Sequence, residues 1–243
     1  MLALHGVTGH GARFRRLASE GLPELRWIAP DLRGHGRSDW NPPWSVEQLV
    51  TDAIQVLDAE GLGRVTVIGH SYGGLLATHL AARDPQRVER LVLLDPSIGR
   101  DPAEMLEAAE ATRHDEGWDS AETARAERTS GFPVHARAEV AADVEEALEL
   151  GDDGRWRLRY CRSAVVTGWS EMAAPPTSIA GWPGSALVLE ALRDGTTTEA
   201  ALEQLRGDLG SRLTHRTLDC GHVVYWEVFD EVVAELRSFL LEA

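Results

Sequence analysis

One serine in this chain stands where a backbone turn can make a nucleophile of it. Val65 to Gly74 reads Val-Thr-Val-Ile-Gly-His-Ser-Tyr-Gly-Gly, an alternating β-branched run that ends in glycines and passes into the Ala/Leu-rich segment Leu75 to Ala82. Strand, sharp turn and helix follow one another. Gly69-His70-Ser71-Tyr72-Gly73 has the G-x-S-x-G spacing, in which backbone on both sides of the serine crowds together without Cβ atoms. A serine hydroxyl attacks poorly until an imidazole accepts its proton, and that imidazole needs a carboxylate to hold its tautomer and stabilise its charged form. His222, directly after Gly221, is the candidate base. Two carboxylates compete for the third role. Asp194 is preferred, because Arg193-Asp194-Gly195 reads as an exposed turn between a strand and a Thr-capped helix. Asp95 also follows a strand, but it abuts Pro96, where a short acid can stabilise a turn by local hydrogen bonding.

These residues need elements to carry them. Leu2-Ala3-Leu4 is a short apolar run ending in His5-Gly6-Val7, Ala12 to Glu20 can be a helix, and Trp27-Ile28-Ala29 reads as a buried strand. A polar, glycine-rich loop, Asp31-Leu32-Arg33-Gly34-His35-Gly36-Arg37-Ser38-Asp39, comes next, with Asp31 and Asp39 suited to holding it by local hydrogen bonds. Ser45 and Gln48 form a capping-box pair before an apolar series at helical spacing, Val46 to Leu57. Apolar strands at Val65 to Ile68, Val88 to Leu94, Ala186 to Leu189 and Leu213 to Leu218 alternate with helices, which predicts a mostly parallel twisted sheet flanked by helices. The rhythm stops between Ser97 and Ala180, where Pro102 to Arg113, Ala121 to Thr129 and Ala138 to Leu150 read as helices. The expected organisation is a core of residues 1–96 and 181–243 interrupted by a helical insertion at 97–180. The insertion is expected to govern substrate choice and not the chemistry, because Ser71, Asp194 and His222 lie outside it. Trp156, Tyr160 and Trp169 are its candidate substrate-lining residues.

Composition narrows the partners. The 243 residues are 43% hydrophobic and 26% charged, with a net charge of −15. That balance argues against nucleic acid and anionic membranes and favours neutral small molecules. All the cationic side chains besides histidine are Arg. Cys161 and Cys220 make neither a disulfide framework nor a metal-ligand spacing, and no basic and apolar leader opens the chain, so a reducing, cytoplasmic location is expected. No metal or cofactor is implied, and a monomer or a homodimer is equally compatible with the sequence. His5, His10, His35 and His70 fit structural hydrogen-bonding roles.

The chain resembles the α/β-hydrolase superfamily from His5-Gly6 through Gly69-His70-Ser71-Tyr72-Gly73-Gly74 to Asp219-Cys220-Gly221-His222, with serine, acid and histidine in that family's chain order. The Asp31 to Asp39 loop is similar to one in its capped esterase and epoxide-hydrolase-like branch. The resemblance implies an α/β-hydrolase fold with a helical cap. It puts oxyanion donors on the backbone N–H groups of Val7 and Tyr72, and it implies hydrolysis of a carboxylic ester, lactone or thioester through an acyl-enzyme. A C–C bond hydrolase with the same triad, or a slow-turnover ligand receptor on the same scaffold, are the alternatives. Family members usually carry a two-strand hairpin before the His-Gly strand; here none is read, so an abbreviated or truncated sheet with an exposed edge is expected.

Overall fold

A computed structural model describes residues 1–193 and 195–241. Strands β1 (Leu2–Leu4), β2 (Val65–His70) and β3 (Val88–Leu94) precede the insertion, β4 (Leu148–Leu150) and β5 (Trp156–Leu158) lie within it, and β6 (Ser185–Ala191) and β7 (Leu213–Leu218) follow. The main sheet has the order β1-β2-β3-β6-β7, and every pairing in it is parallel. Helices α1 (Val46–Ala59), α2 (Tyr72–Arg83), α7 (Glu199–Leu209), α8 (Val224–Glu227) and α9 (Phe229–Leu241) belong to the core, while α3 (Pro102–Arg113), α4 (Ala121–Ser130), α5 (Arg137–Ala147) and α6 (Arg162–Met172) come from the insertion.

The sheet is buried on both faces, as crossover helices require. Period-two alternation sends Leu2, Leu4, Val67, Leu91, Leu93 and Val188 into one apolar cluster with α1, α2 and α7. The intervening Ala3, Ile68, Val92, Leu94, Leu187 and Leu189 point into a second cluster with α8 and α9. Half of the capping box forms: Ser45 Oγ accepts from Gln48 N at 3.4 Å, while the Gln48 side chain donates to Asp52 Oδ1 at 2.8 Å, and α1 turns Leu49, Val50, Ala53 and Leu57 inward.

Three local readings are corrected. Trp27 to Ala29 is not a full strand: Ile28 makes one parallel bridge to Leu2, with Ala3 N donating to Ile28 O at 2.8 Å and Ile28 N to Met1 O at 2.9 Å. That bridge occupies the outer side of β1, where an open edge was expected. The Ala12 to Glu20 segment is wound irregularly, as a 3₁₀ turn at Gly11–Phe14 and a π-helical stretch at Leu17–Gly21. Gly11 lies so close to Ala29 that a Cβ there would sit 1.9 Å from its carbonyl oxygen, and its N–H donates to Asp31 Oδ1 at 2.8 Å. The helix expected over Ala138 to Leu150 ends at Ala147, because Gly151 to Gly154 forms a reverse turn, with Gly154 at φ 77°, that folds Leu148–Leu150 back on β5. Backbone bonds then stitch the insertion to the Asp31 to Asp39 loop: Gly36 N to Arg159 O at 2.8 Å and Cys161 N to Gly34 O at 2.7 Å.

A Cβ on Gly73 would meet Leu4 O at 1.9 Å, backbone against backbone, whereas one on Gly207, in the exposed face of α7, meets nothing within 4 Å. Gly73→Ala is therefore expected to cost at least about 3 kcal/mol, and Gly207→Ala to stabilise by about 0.5–1 kcal/mol. Urea midpoints of the two variants check this, and near-parental stability of Gly73→Ala would show that the approach of β1 to α2 is not a constraint.

Candidate active site

Ser71 sits between β2 and α2 with φ 55° and ψ −119°, in a region of backbone space that side-chain-bearing residues rarely occupy. Its N–H donates to Leu94 O at 3.1 Å, and its carbonyl accepts from Gly74 N at 2.8 Å and Ser97 N at 3.2 Å. A Cβ on Gly69 would lie 2.2 Å from Gly73 O, and one on Gly74 would lie 2.7 Å from the Pro96 ring. The turn closes because these positions are glycine. Ser71 Oγ lies 3.2 Å from Ser97 Oγ, at the mouth of the insertion.

His222 follows β7, and its Nδ1 lies 2.6 Å from Asp95 Oδ2. With Nδ1–H donating to the carboxylate, the lone pair on Nε2 is left to accept a proton. Asp95 is fully buried at the end of β3. Thr197 Oγ1 donates to its Oδ1 at 2.7 Å, Ala191 N donates to the same oxygen at 3.2 Å, and Thr196 Oγ1 donates to Oδ2. Burial alone would push this carboxyl up, but the bonds and charge of His222 and the two threonines outweigh it and hold the group below its ordinary value. Asp194, the preferred acid of the sequence reading, lies outside the described residues; the carboxylate seen at His222 Nδ1 is the competing one, Asp95.

The loop carrying His222 is pinned from two sides. His70 Nε2–H donates to His222 O at 3.0 Å, and Gly221 N donates to Glu227 Oε2 at 3.0 Å, while Arg193 reaches the same carboxylate oxygen at 3.1 Å. Ser97, Thr196, Thr197 and Glu227 were not singled out from sequence. Only the run of three threonines after Gly195 carried a signal, and it read as a helix cap, which Thr198 is.

The His5 to Gly9 loop, which carries Val7, is held by two histidines. Leu32 N donates to His5 Nε2 at 2.9 Å, so the ring proton is on Nδ1 and goes to Gly6 O at 2.8 Å. His35 Nε2 lies 2.5 Å from Val7 O. Burial, chiefly, keeps His5, His35 and His70 below the usual imidazole value, His5 also through His35 and His70 also through His222. All three are neutral scaffold groups. Tyr72 opens α2, so its N–H has no intrahelical partner and is available beside Ser71.

A cavity of about 480 Å³ holds Ser71 and His222 together with Val7, Ser97, Thr196 and Trp169. Trp169 donates its indole N–H to Thr112 Oγ1 at 2.9 Å. The other two proposed lining residues are elsewhere: Trp156 pairs its backbone with Trp118 beside the turn of the hairpin, and Tyr160 bridges to His35 under the glycine-rich loop. A large aromatic in an insertion is as useful for packing as for binding, and sequence does not separate the two.

Parallel strands end in a strained serine, a buried acid and an oriented histidine, on a doubly wound fold. The chain belongs to the α/β-hydrolase family, whose fold model it matches over residues 1–228. It is 37% identical over 247 residues to lipase LipV of Mycobacterium tuberculosis (strain ATCC 25618 / H37Rv), covering 99% of this chain and 92% of that one. It is 29% identical over 248 residues to 2-hydroxymuconate semialdehyde hydrolase of Pseudomonas putida, covering 98% and 83%. A solved esterase from a marine microorganism superposes with a TM-score of 0.80 at 18% identity, covering 98% and 94%.

Because the buried histidines titrate lower in the folded chain than in the unfolded one, their contribution to stability is complete above about pH 6.5 and is lost as pH falls below it. Each can contribute up to about 1.4 kcal/mol per pH unit in that window. Melting temperature is expected to fall between pH 7 and pH 5, and His70→Asn should flatten the slope; an unchanged slope would mean that His70 is already protonated when folded.

Proposed function

We propose that this chain hydrolyses carboxylic esters through a covalent acyl-enzyme, with Ser71 as nucleophile, His222 as general base and acid, and Asp95 as the group that orients it. The observation that carries the reading is the 2.6 Å contact between His222 Nδ1 and a fully buried carboxylate, in a cavity shared with a serine on a strained turn. Ser71 Oγ attacks the ester carbonyl carbon as its proton passes to His222 Nε2. The oxyanion is met by the backbone N–H groups of Val7 and Tyr72. Collapse expels the alcohol, which takes the proton from His222. Water, deprotonated by the same nitrogen, then releases the carboxylic acid and restores Ser71. Residues 97–180 serve as a cap that closes the acyl cavity, with Trp169 in its wall. Two free thiols, Cys161 and Cys220, favour a reducing, cytoplasmic setting.

The relative named for semialdehyde hydrolysis supports a second reading, cleavage of a C–C bond beside a ketone by the same three residues. A panel of p-nitrophenyl esters, lactones and a vinylogous β-diketone separates the two: brisk ester turnover with inert diketone supports the first. Binding without turnover on every class would instead indicate a receptor.

Ser71→Ala should abolish labelling by a fluorophosphonate and lower kcat by several orders of magnitude. Asp95→Asn should lower kcat about 10²–10⁴-fold with the fold intact, by loss of the histidine's orienting partner. Asp194→Asn should cost far less. The opposite ranking of the two acids, in variants of matched melting temperature, moves the role to Asp194.

A further inference from the structure

The cavity around Ser71 is cationic in a chain of net charge −15: Arg13, Arg100 and Arg128 all line it. Two of the three are already committed. Arg13 Nε and Nη2 donate to Asp143 at 3.0 Å each, and Arg100 donates to Glu104 at 2.7 Å and to Gly195 O at 3.1 Å. Arg128 makes no hydrogen bond and no ion pair among the described residues, and neither does Arg64, which lies on a different face. The other arginines are bonded to a carboxylate or a carbonyl. In a chain with 39 acids for 24 cationic side chains, a guanidinium left unpaired beside the nucleophile is not a shortage of partners.

Arg128 stands in the last turn of α4, where a cation commonly serves the helix C-terminus. It donates to none of those carbonyls; the last turn is satisfied instead by Thr129 Oγ1, Ser130 Oγ and Gly131 N. Glu127, the residue before it and also in the cavity wall, accepts from the Trp118 indole at 3.0 Å. Arg128 is exposed to solvent where it lines the open cavity. The same cavity presents Met105, Phe132, Trp169 and Trp226 to the remainder of a ligand.

We propose that Arg128 is an anion subsite for substrate, and that the preferred esters carry a free carboxylate at the end of an apolar chain, as in half-esters of dicarboxylic acids. Guanidinium pairs with carboxylate through two parallel N–H···O bonds, which supplies orientation as well as attraction. The inference rests on the ester-hydrolase reading and departs from the expectation, drawn from net charge, that neutral substrates fit best. Charge over the whole surface governs approach, whereas choice among small molecules is made by the groups inside the cavity.

The test compares mono-p-nitrophenyl glutarate with p-nitrophenyl valerate, the neutral ester of the same acyl length. Native enzyme should favour the glutarate in kcat/KM, and added salt should raise KM for the glutarate and not for the valerate. Arg128→Gln should lower the glutarate-to-valerate ratio about tenfold or more, whatever happens to the absolute rates. Arg128→Lys, which keeps the charge and loses the fork, should retain part of the preference and guards against a folding defect in the first variant. A ratio that changes by less than about fivefold in Arg128→Gln, or a native preference for valerate, overturns the subsite and leaves the hydrolase reading standing. Turnover of neither ester overturns the hydrolase reading itself.

Discussion

Ser71 is held in a backbone conformation that costs about 1–3 kcal/mol, and the rest of the structure is arranged to hold it there. The constraint is steric before it is chemical. With Gly73 against Leu4 O, Gly69 against Gly73 O and Gly74 against Pro96, the ends of β1, β2 and β3 and the first turn of α2 converge within van der Waals range. Such convergence needs β2 between β1 and β3, the sheet order observed. Any acid or base that serves Ser71 must then come from a strand whose C-terminal end opens on the same crevice, which β3, β6 and β7 do.

Polar groups in that crevice are handled in two ways. Asp95 remains ionised while fully buried because donors from His222, Thr196, Thr197 and the Ala191 backbone replace its lost hydration. His5, His35 and His70 are buried at similar depth but stay neutral, and their value is directional: each ties together carbonyls or amides of loops that would otherwise have no regular partner. A charged group at His35 would add a cation beside Val7, whose N–H is a proposed oxyanion donor and whose carbonyl His35 holds. A neutral imidazole does the holding without altering the field at the site by a full charge.

Periodicity and glycine placement made the sheet, α1, α2, α7 and the nucleophile turn legible, because each is specified by residues within a dozen positions of one another. Trp27 to Ala29 has strand composition but too little partner backbone, and Leu148 to Leu150 has helix formers overruled by the Gly151 to Gly154 turn. Ser71 and His222 were singled out because local glycines mark both. The acid was left between Asp194, preferred, and Asp95, because contact with an imidazole more than a hundred residues away, as Asp95 makes, is not written in local sequence. Local sequence reported that Asp95 precedes a proline. It did not report that Thr196, Thr197 and Ala191 surround it. Trp156, Tyr160 and Trp169 looked alike in sequence for the same reason: only the path of the chain between them decides which one faces Ser71.

That path also brings the insertion against the residues expected to do the chemistry in the core. Gly168 of α6 rests on the oxyanion loop so closely that a Cβ there would lie 2.7 Å from Val7 Cγ2, with the Tyr72 ring 3.5 Å away. One face of the same helix therefore braces both residues that carry the proposed oxyanion donors, and the next residue, Trp169, faces the cavity. On the other side, Arg13 of the core is paired with Asp143 of α5 with both side chains almost wholly buried, and His10 Nε2 lies 2.8 Å from the same carboxylate. Separating such a pair strands an uncompensated charge, at a cost of about 3–5 kcal/mol, so α5 is not free to swing away from the core. Arg13 in turn lines the cavity. A change in α6 that alters which substrate fits thus also reaches the residues proposed to carry the oxyanion donors, and effects on selectivity and on rate should arise together from single positions along α6.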